Sequence, residues 1–248
     1  ERWVYSRNYS RITKESKPLE LPEGMDYAIV TAVPMDVELS KTYPSSLGGS
    51  ATGMGYTHDL IGVIALAQFI RNLGYRAIAS LNDTALSIPM AIQAGLGEYG
   101  KLGLLITKEY GPRVRIGKVF TDLPLVPDQP IEFGVKPFCD ICQRCSRACP
   151  VSAIPLDEPQ TEPPNRSSHS KIAKWTVDAE KCFGYWVQTN TECAICIRVC
   201  PYNKDYSKWW ARAGRWLAGT FLRKLMLRID VLFGFGKRVK PVGWWDNG

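Results

Sequence analysis

The eight cysteines fall into two sets, Cys139-x2-Cys142-x2-Cys145-x3-Cys149-Pro150 and Cys182-x10-Cys193-x2-Cys196-x3-Cys200-Pro201, and none lies outside them. Thiolates two residues apart on a turning backbone converge on one cuboidal iron–sulfur cluster, while the last Cys of such a run, followed by Pro, reaches the neighbouring cluster. Two [4Fe–4S] clusters are therefore expected. The first takes Cys139, Cys142, Cys145 and Cys200, and the second takes Cys182, Cys193, Cys196 and Cys149. The second set is stretched, with ten residues between Cys182 and Cys193, so Cys182 is expected to come in from a longer loop. Disulfides in a secreted chain and zinc held by Cys pairs are the competing uses of cysteine. Neither accounts for two Cys-x2-Cys-x3-Cys-Pro runs.

With 248 residues in all, the stretch from Cys139 to Cys200 is too short to account for the chain, and the residues before it must fold around something else. The reading divides the chain into an extended arm over 1–25, an α/β layer over 26–135, a two-cluster module over 136–206 and a basic, aromatic extension over 207–248. Lys and Arg exceed Asp and Glu by 31 to 24, a formal charge of +7. A moderately basic face of this kind suits an acidic electron-donor protein or an anionic membrane surface, and is also common on proteins with neither partner. No recognition-motif spacing accompanies the charge, so no nucleic-acid partner is expected. The longest apolar run, Leu60 to Ala67, is too short to span a bilayer, and the first residues lack a signal-peptide layout. The chain reads as soluble.

Within the α/β layer, Tyr27 to Val33 is β-branched and nearly continuous in apolar character, which predicts a strand buried on both faces and central to a sheet. Ser45 to Gly55 is rich in small residues and reads as a loop over which backbone can approach a large flat ligand. A helix from about Thr57 to Asn72 places Leu60, Ile64, Ala67 and Ile70 near one face, with Gly74 as its stop. Strands are expected at Arg76–Ser80, Leu102–Thr107 and Arg113–Thr121, the last two around the turn at Gly111-Pro112, and Pro89 is expected to open a short helix as its first residue. Beyond Cys200, Trp209 to Phe233 mixes Arg212, Arg215, Arg223, Lys224 and Arg228 with Trp216, Phe221, Leu225 and Ile229, as a surface helix with snorkelling cations does.

Tyr56, Ser80-Leu-Asn-Asp83, Gly95-Leu-Gly-Glu-Tyr-Gly-Lys101, Gly111-Pro-Arg-Val-Arg115 and Val119-Phe-Thr-Asp-Leu-Pro124 precede the two Cys sets in this order, and Pro241-Val-Gly-Trp-Trp-Asp-Asn247 follows them. In these motifs the chain resembles the corrinoid-dependent reductive dehalogenases. The resemblance implies a nitroreductase-like α/β domain around a base-off cobamide, a bacterial two-[4Fe–4S] ferredoxin-like domain after it, and reductive removal of halide from a chlorinated alkene or aromatic. The family's proton-donating Tyr matches Tyr56, and its two polar companions match Asn82 and Arg115. The resemblance also implies an electron donor, either a low-potential protein or one linked to membrane quinol, a small membrane-anchor partner, and a place at the outer face of the cytoplasmic membrane. Members normally have a longer N-terminal portion, so the chain is expected to be a fragment or a trimmed form. Two alternatives share part of this pattern: epoxyqueuosine reductase, which acts on a modified tRNA base, and a non-catalytic ferredoxin-type electron carrier.

A phenol, with an ordinary pKa near 10, is a reluctant acid, and a neighbouring guanidinium favours its phenolate. Arg115 would supply that charge, and the amide of Asn82 would orient the phenol or the departing halide. Strand alternation places Arg113 on the same face as Arg115, so spacing leaves both open. His58, in His58-Asp59-Leu-Ile-Gly62, reverses the order of an Asp-His cobalt-ligand motif and is not expected to bind cobalt. His169 is assigned no role.

Overall fold

The computed structural model describes residues 21–81, 85–165, 168 and 170–242. The elements before Cys139 are β1 (Tyr27–Pro34), α1 (Val37–Ser40), α2 (Ser46–Asn72), β2 (Ala77–Ser80), α3 (Ser87–Gln93), β3 (Gly97–Tyr99), β4 (Leu105–Thr107) and β5 (Val114–Thr121). After them come α4 (Val135–Cys142), α5 (Arg144–Ala148), α6 (Ala179–Thr189), α7 (Ile195–Arg198), α8 (Trp209–Ala218) and α9 (Arg223–Leu232). This is the mixed α/β class expected from the sequence. Residues 1–20 of the expected arm, together with 82–84, 166, 167, 169 and 243–248, lie outside the described residues.

The sheet that positions the site is antiparallel, in the order β1-β5-β2. β5 pairs with β1 from Tyr27 opposite Thr121 to Pro34 opposite Val114, and with β2 from Ala77 opposite Thr121 to Ser80 opposite Lys118. β5, not β1, is therefore the central strand, which corrects the expectation for Tyr27–Val33. The β1 residues are only half-buried, whereas all of β5 except Arg115 is buried. The sequence favours β1 because β5 carries Arg115, Gly117 and Lys118; those residues are accommodated by partners far along the chain, which an apolar count does not register.

Alternation along β5 sends its two faces to different layers. Val119 packs with Val63, Ala67 and Ile70 of α2, while Val114 and Ile116 pack with Ala91 of α3 and Leu105 of β4. The inward face of α2 includes the buried Asp59, Val63, Ala67 and Ile70, while Leu60 and Ile64 are exposed. The expected stripe thus holds for Ala67 and Ile70 and is displaced for the other two, because the buried face accepts a carboxylate that apolar periodicity scores against.

Three local readings change. The small-residue stretch expected as a loop forms the first turns of α2, whose N-terminus is capped by Ser45 Oγ accepting from the Gly48 N–H at 3.0 Å. The cap and the packing of Ala51 and Thr52 into the interior outweigh the poor helix propensity of glycine. Pro89 is the third residue of α3, not the first; it still falls among the first four N–H positions, which have no intrahelical partner to lose. The segment Trp209–Phe233 breaks into α8 and α9 instead of one helix. At the break, a Cβ on Gly219 would lie 2.7 Å from the Phe133 carbonyl oxygen, so close backbone contact with the α/β layer accompanies the interruption of the helix.

One apolar cluster spans both halves of the chain, from Met35, Leu39, Leu102 and Ile106 to Phe138, Ile154, Trp175, Ile197, Tyr202 and Met226. Among the described residues, no helix is long and apolar enough to cross a membrane.

Gly117 of β5 lies against α2, where an added Cβ would stand 2.4 Å from both Asp59 Oδ1 and Val63 Cγ1. Gly117→Ala is therefore expected to lower stability by about 1–3 kcal/mol in chemical unfolding, the range for overpacking a tight interior. An unchanged unfolding midpoint would contradict this packing.

Candidate functional site

The cysteines sit on short helices broken by left-handed residues. Cys139 and Cys142 belong to α4, Gln143 turns the chain with φ of 51°, Cys145 lies in α5, and Cys149 closes α5 in extended backbone. In the second set, Ala194, with φ of 43°, separates Cys193 from the short helix that holds Cys196. Such turns aim successive backbone N–H groups inward at an anionic centre. The Ala153 N–H donates to Cys149 Sγ at 3.2 Å, and backbone N–H groups of Lys101, Arg144, Ile195, Ile197 and Tyr202 favour the thiolates of Cys139, Cys142, Cys193, Cys196 and Cys200.

Cys139, Cys142, Cys145 and Cys200 line a single cavity, with Lys101, Phe138 and Tyr202 in its wall. Cys182 interacts electrostatically with Cys149 and Cys193, and Cys196 with Cys145 first and then with Cys193 and Cys182. The cavity gathers the four cysteines expected for the first cluster, and Cys182, Cys149 and Cys193 lie near one another. Cys182 arrives differently from expected: it lies in the first turns of α6, which is capped by Asp178, so most of the ten-residue gap is helix and not loop.

Desolvation pushes the thiols of Cys139 and Cys142 up to about 12 and raises those of Cys196 and Cys200 as well. Buried thiols of this kind do not ionise unaided; bound iron supplies the positive charge that makes them thiolates. Among the described residues, no group of three or more His, Cys, Asp or Glu closes on a single metal ion. Ligands of a cuboidal cluster bind separate irons and need not meet at one point.

The second constellation is Tyr56 with Arg115. Tyr56 lies on α2 and Arg115 on β5, where an added Cβ on Gly55 would meet Arg115 Cγ at 3.1 Å and Met35 Cγ at 3.0 Å. The missing side chain of Gly55 admits the arginine stem. Arg115 Nη1–H donates to Tyr56 Oη at 3.4 Å, and the guanidinium carbon stands 4.4 Å from the centroid of the Tyr56 ring. Arg113 is ruled out as the partner by its other commitments: it is buried and donates to the carbonyls of Met35 at 2.9 Å and Lys204 at 3.0 Å. Arg115 Nε is buried with no hydrogen-bond partner among the described residues.

Asn82 lies outside the described residues, but the residues that flank it are tied together. Lys118 Nζ, fully buried beneath them, donates to the Leu81 carbonyl and to Ser87 Oγ. Sequence reasoning misses both Lys118 and Lys101; the available signal is a lysine inside an otherwise apolar strand in one case and at the end of a glycine-rich motif in the other. Asp59, beside Gly117, accepts from Thr31 Oγ1 at 3.3 Å, and burial raises its carboxyl above the ordinary range. His58 points to solvent from α2. His169 lies outside the described residues.

Arg115 also forms part of the wall of a mostly apolar cavity of about 750 Å³. Leu86, Ile88 and Ile92 line one side, Tyr99 and Leu104 another, and Ala179 of α6 contributes from the helix that carries Cys182. A cavity of this size with few polar groups fits a large flat macrocycle, and the unpartnered Arg115 Nε offers one such ligand a donor.

Residues 11–125 match the family described as reductive dehalogenase subunit, and residues 138–203 match the 4Fe-4S double cluster binding domain. The tetrachloroethene reductive dehalogenase of Sulfurospirillum multivorans is 40% identical over 233 residues, covering 92% of this chain and 46% of the relative. The chain belongs to the reductive dehalogenase family. A second tetrachloroethene reductive dehalogenase, from Desulfitobacterium hafniense, is 39% identical over 226 residues, 89% of this chain and 41% of that one. Among solved structures, a catabolic reductive dehalogenase in complex with 3-bromo-4-hydroxybenzoic acid superposes with a TM-score of 0.76 at 27% identity, over 86% of this chain and 31% of that one. This reductive dehalogenase chain thus spans about half the length of the curated relatives it matches, or slightly less.

Cys182 tests the crossed grouping at its stretched end. Cys182→Ser is expected to lower bound iron and sulfide and to alter one of the two cluster signals in electron paramagnetic resonance while sparing the other. Wild-type iron content with both signals intact would remove Cys182 from the ligand set.

Proposed function

We propose that this protein removes halide from an organohalide by reduction, with a corrinoid in the cavity beside Arg115 and electrons delivered through the two iron–sulfur clusters. The observation that carries the reading is Arg115, which donates to Tyr56 and lines a large, mostly apolar cavity whose lining extends to the helix of Cys182. A corrinoid held there supplies a strongly reducing cobalt centre toward the carbon–halogen bond. In the balanced reaction the organohalide takes up two electrons and one proton and releases halide, with hydrogen in its place on carbon.

The chain's own residues have separate tasks in this scheme. Tyr56 Oη–H is the proton donor to carbon, and the guanidinium over its ring stabilises the phenolate left behind. Asn82 orients the phenol or the halide, its flanking residues held in place through Lys118. The apolar walls from α3 and the β3–β4 hairpin exclude water, so the proton comes from the positioned phenol. The cluster on Cys149, Cys182, Cys193 and Cys196 is the inner one, since its helix reaches the cavity, and the cluster on Cys139, Cys142, Cys145 and Cys200 feeds it from an outside donor.

A chlorinated alkene is the substrate class favoured by the two tetrachloroethene-reducing relatives. A place at the outer face of the cytoplasmic membrane, with a small anchor partner, belongs to the same reading. It is supported by the family resemblance and by the exposed Trp209, Trp216 and Phe221 beside the cations of α8 and α9.

The test is anaerobic halide release from tetrachloroethene and a panel of other organohalides by the corrinoid-loaded, cluster-loaded protein. Tyr56→Phe is expected to slow release by about 10²–10⁴-fold, the usual contribution of a positioned acid, with iron and cobalt contents unchanged. A Phe variant as fast as wild type would remove Tyr56 from the chemistry, and a loaded wild type inert to the whole panel would sink the reading itself.

A further inference from the structure

Lys101 is 2% exposed and lines the same cavity as Cys139, Cys142, Cys145 and Cys200. Its ammonium is pinned by the carbonyls of Leu156 at 3.0 Å and Asp157 at 3.3 Å and lies 5.0 Å from the centroid of the Trp175 ring. Among the described residues, no carboxylate forms an ion pair with it. On another side of this Cys set, Lys204 Nζ stands 2.7 Å from Asp230 Oδ1, and Arg144 pairs with Asp230 Oδ2. Asp230 is 2% exposed and reaches the group from α9. Lys204 and Arg144 thus share Asp230, while Lys101 has no carboxylate ion-pair partner among the described residues. Asp140 also acts on Cys139 and pairs with the exposed Lys136; the buried Lys101 and Lys204 and the partly exposed Arg144 still outnumber Asp230 and Asp140, and solvent screens the buried Lys101 weakly.

The other set has a different balance. Arg198 lies near Cys193, and Asp178 near Cys182 offsets it. Lys181 pairs with Asp178 at 3.3 Å, but its side chain is 61% exposed, so water screens it.

We propose that Lys101, together with the charge group Lys204–Asp230–Arg144, holds the cluster on Cys139, Cys142, Cys145 and Cys200 at a higher reduction potential than its neighbour. Reduction of a [4Fe–4S] centre adds one electron and therefore one negative charge, which a fixed buried cation stabilises; local charge and exposure are among the determinants of cluster potential. The outer cluster fills first and acts as the electron reservoir, and the inner cluster is the stronger reductant facing the cavity. Lys101 acts through its field and is a tuning residue, not a catalytic one. The potential difference rests on cluster binding, and only its outer-to-inner direction rests on the proposed function.

The test is an anaerobic redox titration with dithionite, followed by electron paramagnetic resonance, on the cluster-loaded protein. Wild type is expected to show two one-electron waves. Lys101→Gln should move the higher wave downward, so that at its original midpoint the reduced-to-oxidised ratio falls about tenfold, equivalent to about 59 mV for one electron. Lys101→Arg, which keeps the charge, should restore it. Asp230→Asn should move the same wave upward, because it removes the only carboxylate of the group. A Gln variant that leaves the higher wave in place, or that moves both waves equally, overturns the proposal. If Lys101→Gln fails to retain iron, Asp230→Asn decides: an upward shift supports the proposal and no shift overturns it. A wild-type chain that takes up no iron would instead refute the cluster reading beneath it.

Discussion

A thiol buried in an apolar interior stays protonated, because the thiolate cannot be solvated there. Six of the eight cysteines share that interior or pack against it, in the same apolar cluster that joins Met35, Leu102 and Ile106 to Phe138, Trp175 and Tyr202. The iron that ionises these thiols also fastens together two stretches of chain that would otherwise meet only through side-chain packing. The α4–α5 turn and the segment around α7 each carry cysteines of both expected ligand sets, so both turns must be in place for the crossed arrangement. Cofactor and core are mutually dependent, and the residues before Cys139 are anchored to this unit through Lys101 and Tyr99, whose hydroxyl donates to the Trp175 carbonyl at 2.9 Å.

β5 translates that anchoring into a site. Its alternation turns Arg115, Gly117 and Val119 toward α2, while Val114 and Ile116 pack toward α3 and the β3–β4 hairpin. Two close approaches, at Gly55 and Gly117, allow α2 to lie near enough for a guanidinium to cover the ring of Tyr56. On the opposite face, Lys118 reaches residues on either side of Asn82. The phenol and the guanidinium are thus set by one strand, and a small shift of α2 against β5 would change their relation. The same strand explains why Arg113 and Arg115, two residues apart, have different tasks: Arg113 precedes the sheet and is consumed by the carbonyls of Met35 and Lys204.

Much of this is legible in the residues alone. The Cys sets announce the two clusters, the motifs carry Tyr56 and Arg115, and the strand expected at Arg113–Thr121 begins one residue later, at Val114. The failures share a cause. The stretch Ser45–Gly55 reads as a loop because glycine is a poor helix former, yet a Ser45 cap and interior packing hold it helical. β1 reads as central because it is apolar, while the strand that is central carries an arginine and a lysine whose partners are distant in the chain. The Trp209–Phe233 segment reads as continuous because its break coincides with contact between Gly219 and the Phe133 carbonyl, which no local pattern encodes.

Cluster ligation is determined by the sequence itself, since the reach of a thiolate around a turn is a short-range property and Cys-x2-Cys spacing specifies it with little help from the remainder of the fold. Charge placement is decided only by the tertiary structure. Tyr56 and Arg115 are 59 residues apart, and Lys101, Asp230 and Cys200 come from three separate regions of the chain. Electrostatic influence depends on distance and on exclusion of water, and both are properties of packed segments, absent from any one of them alone.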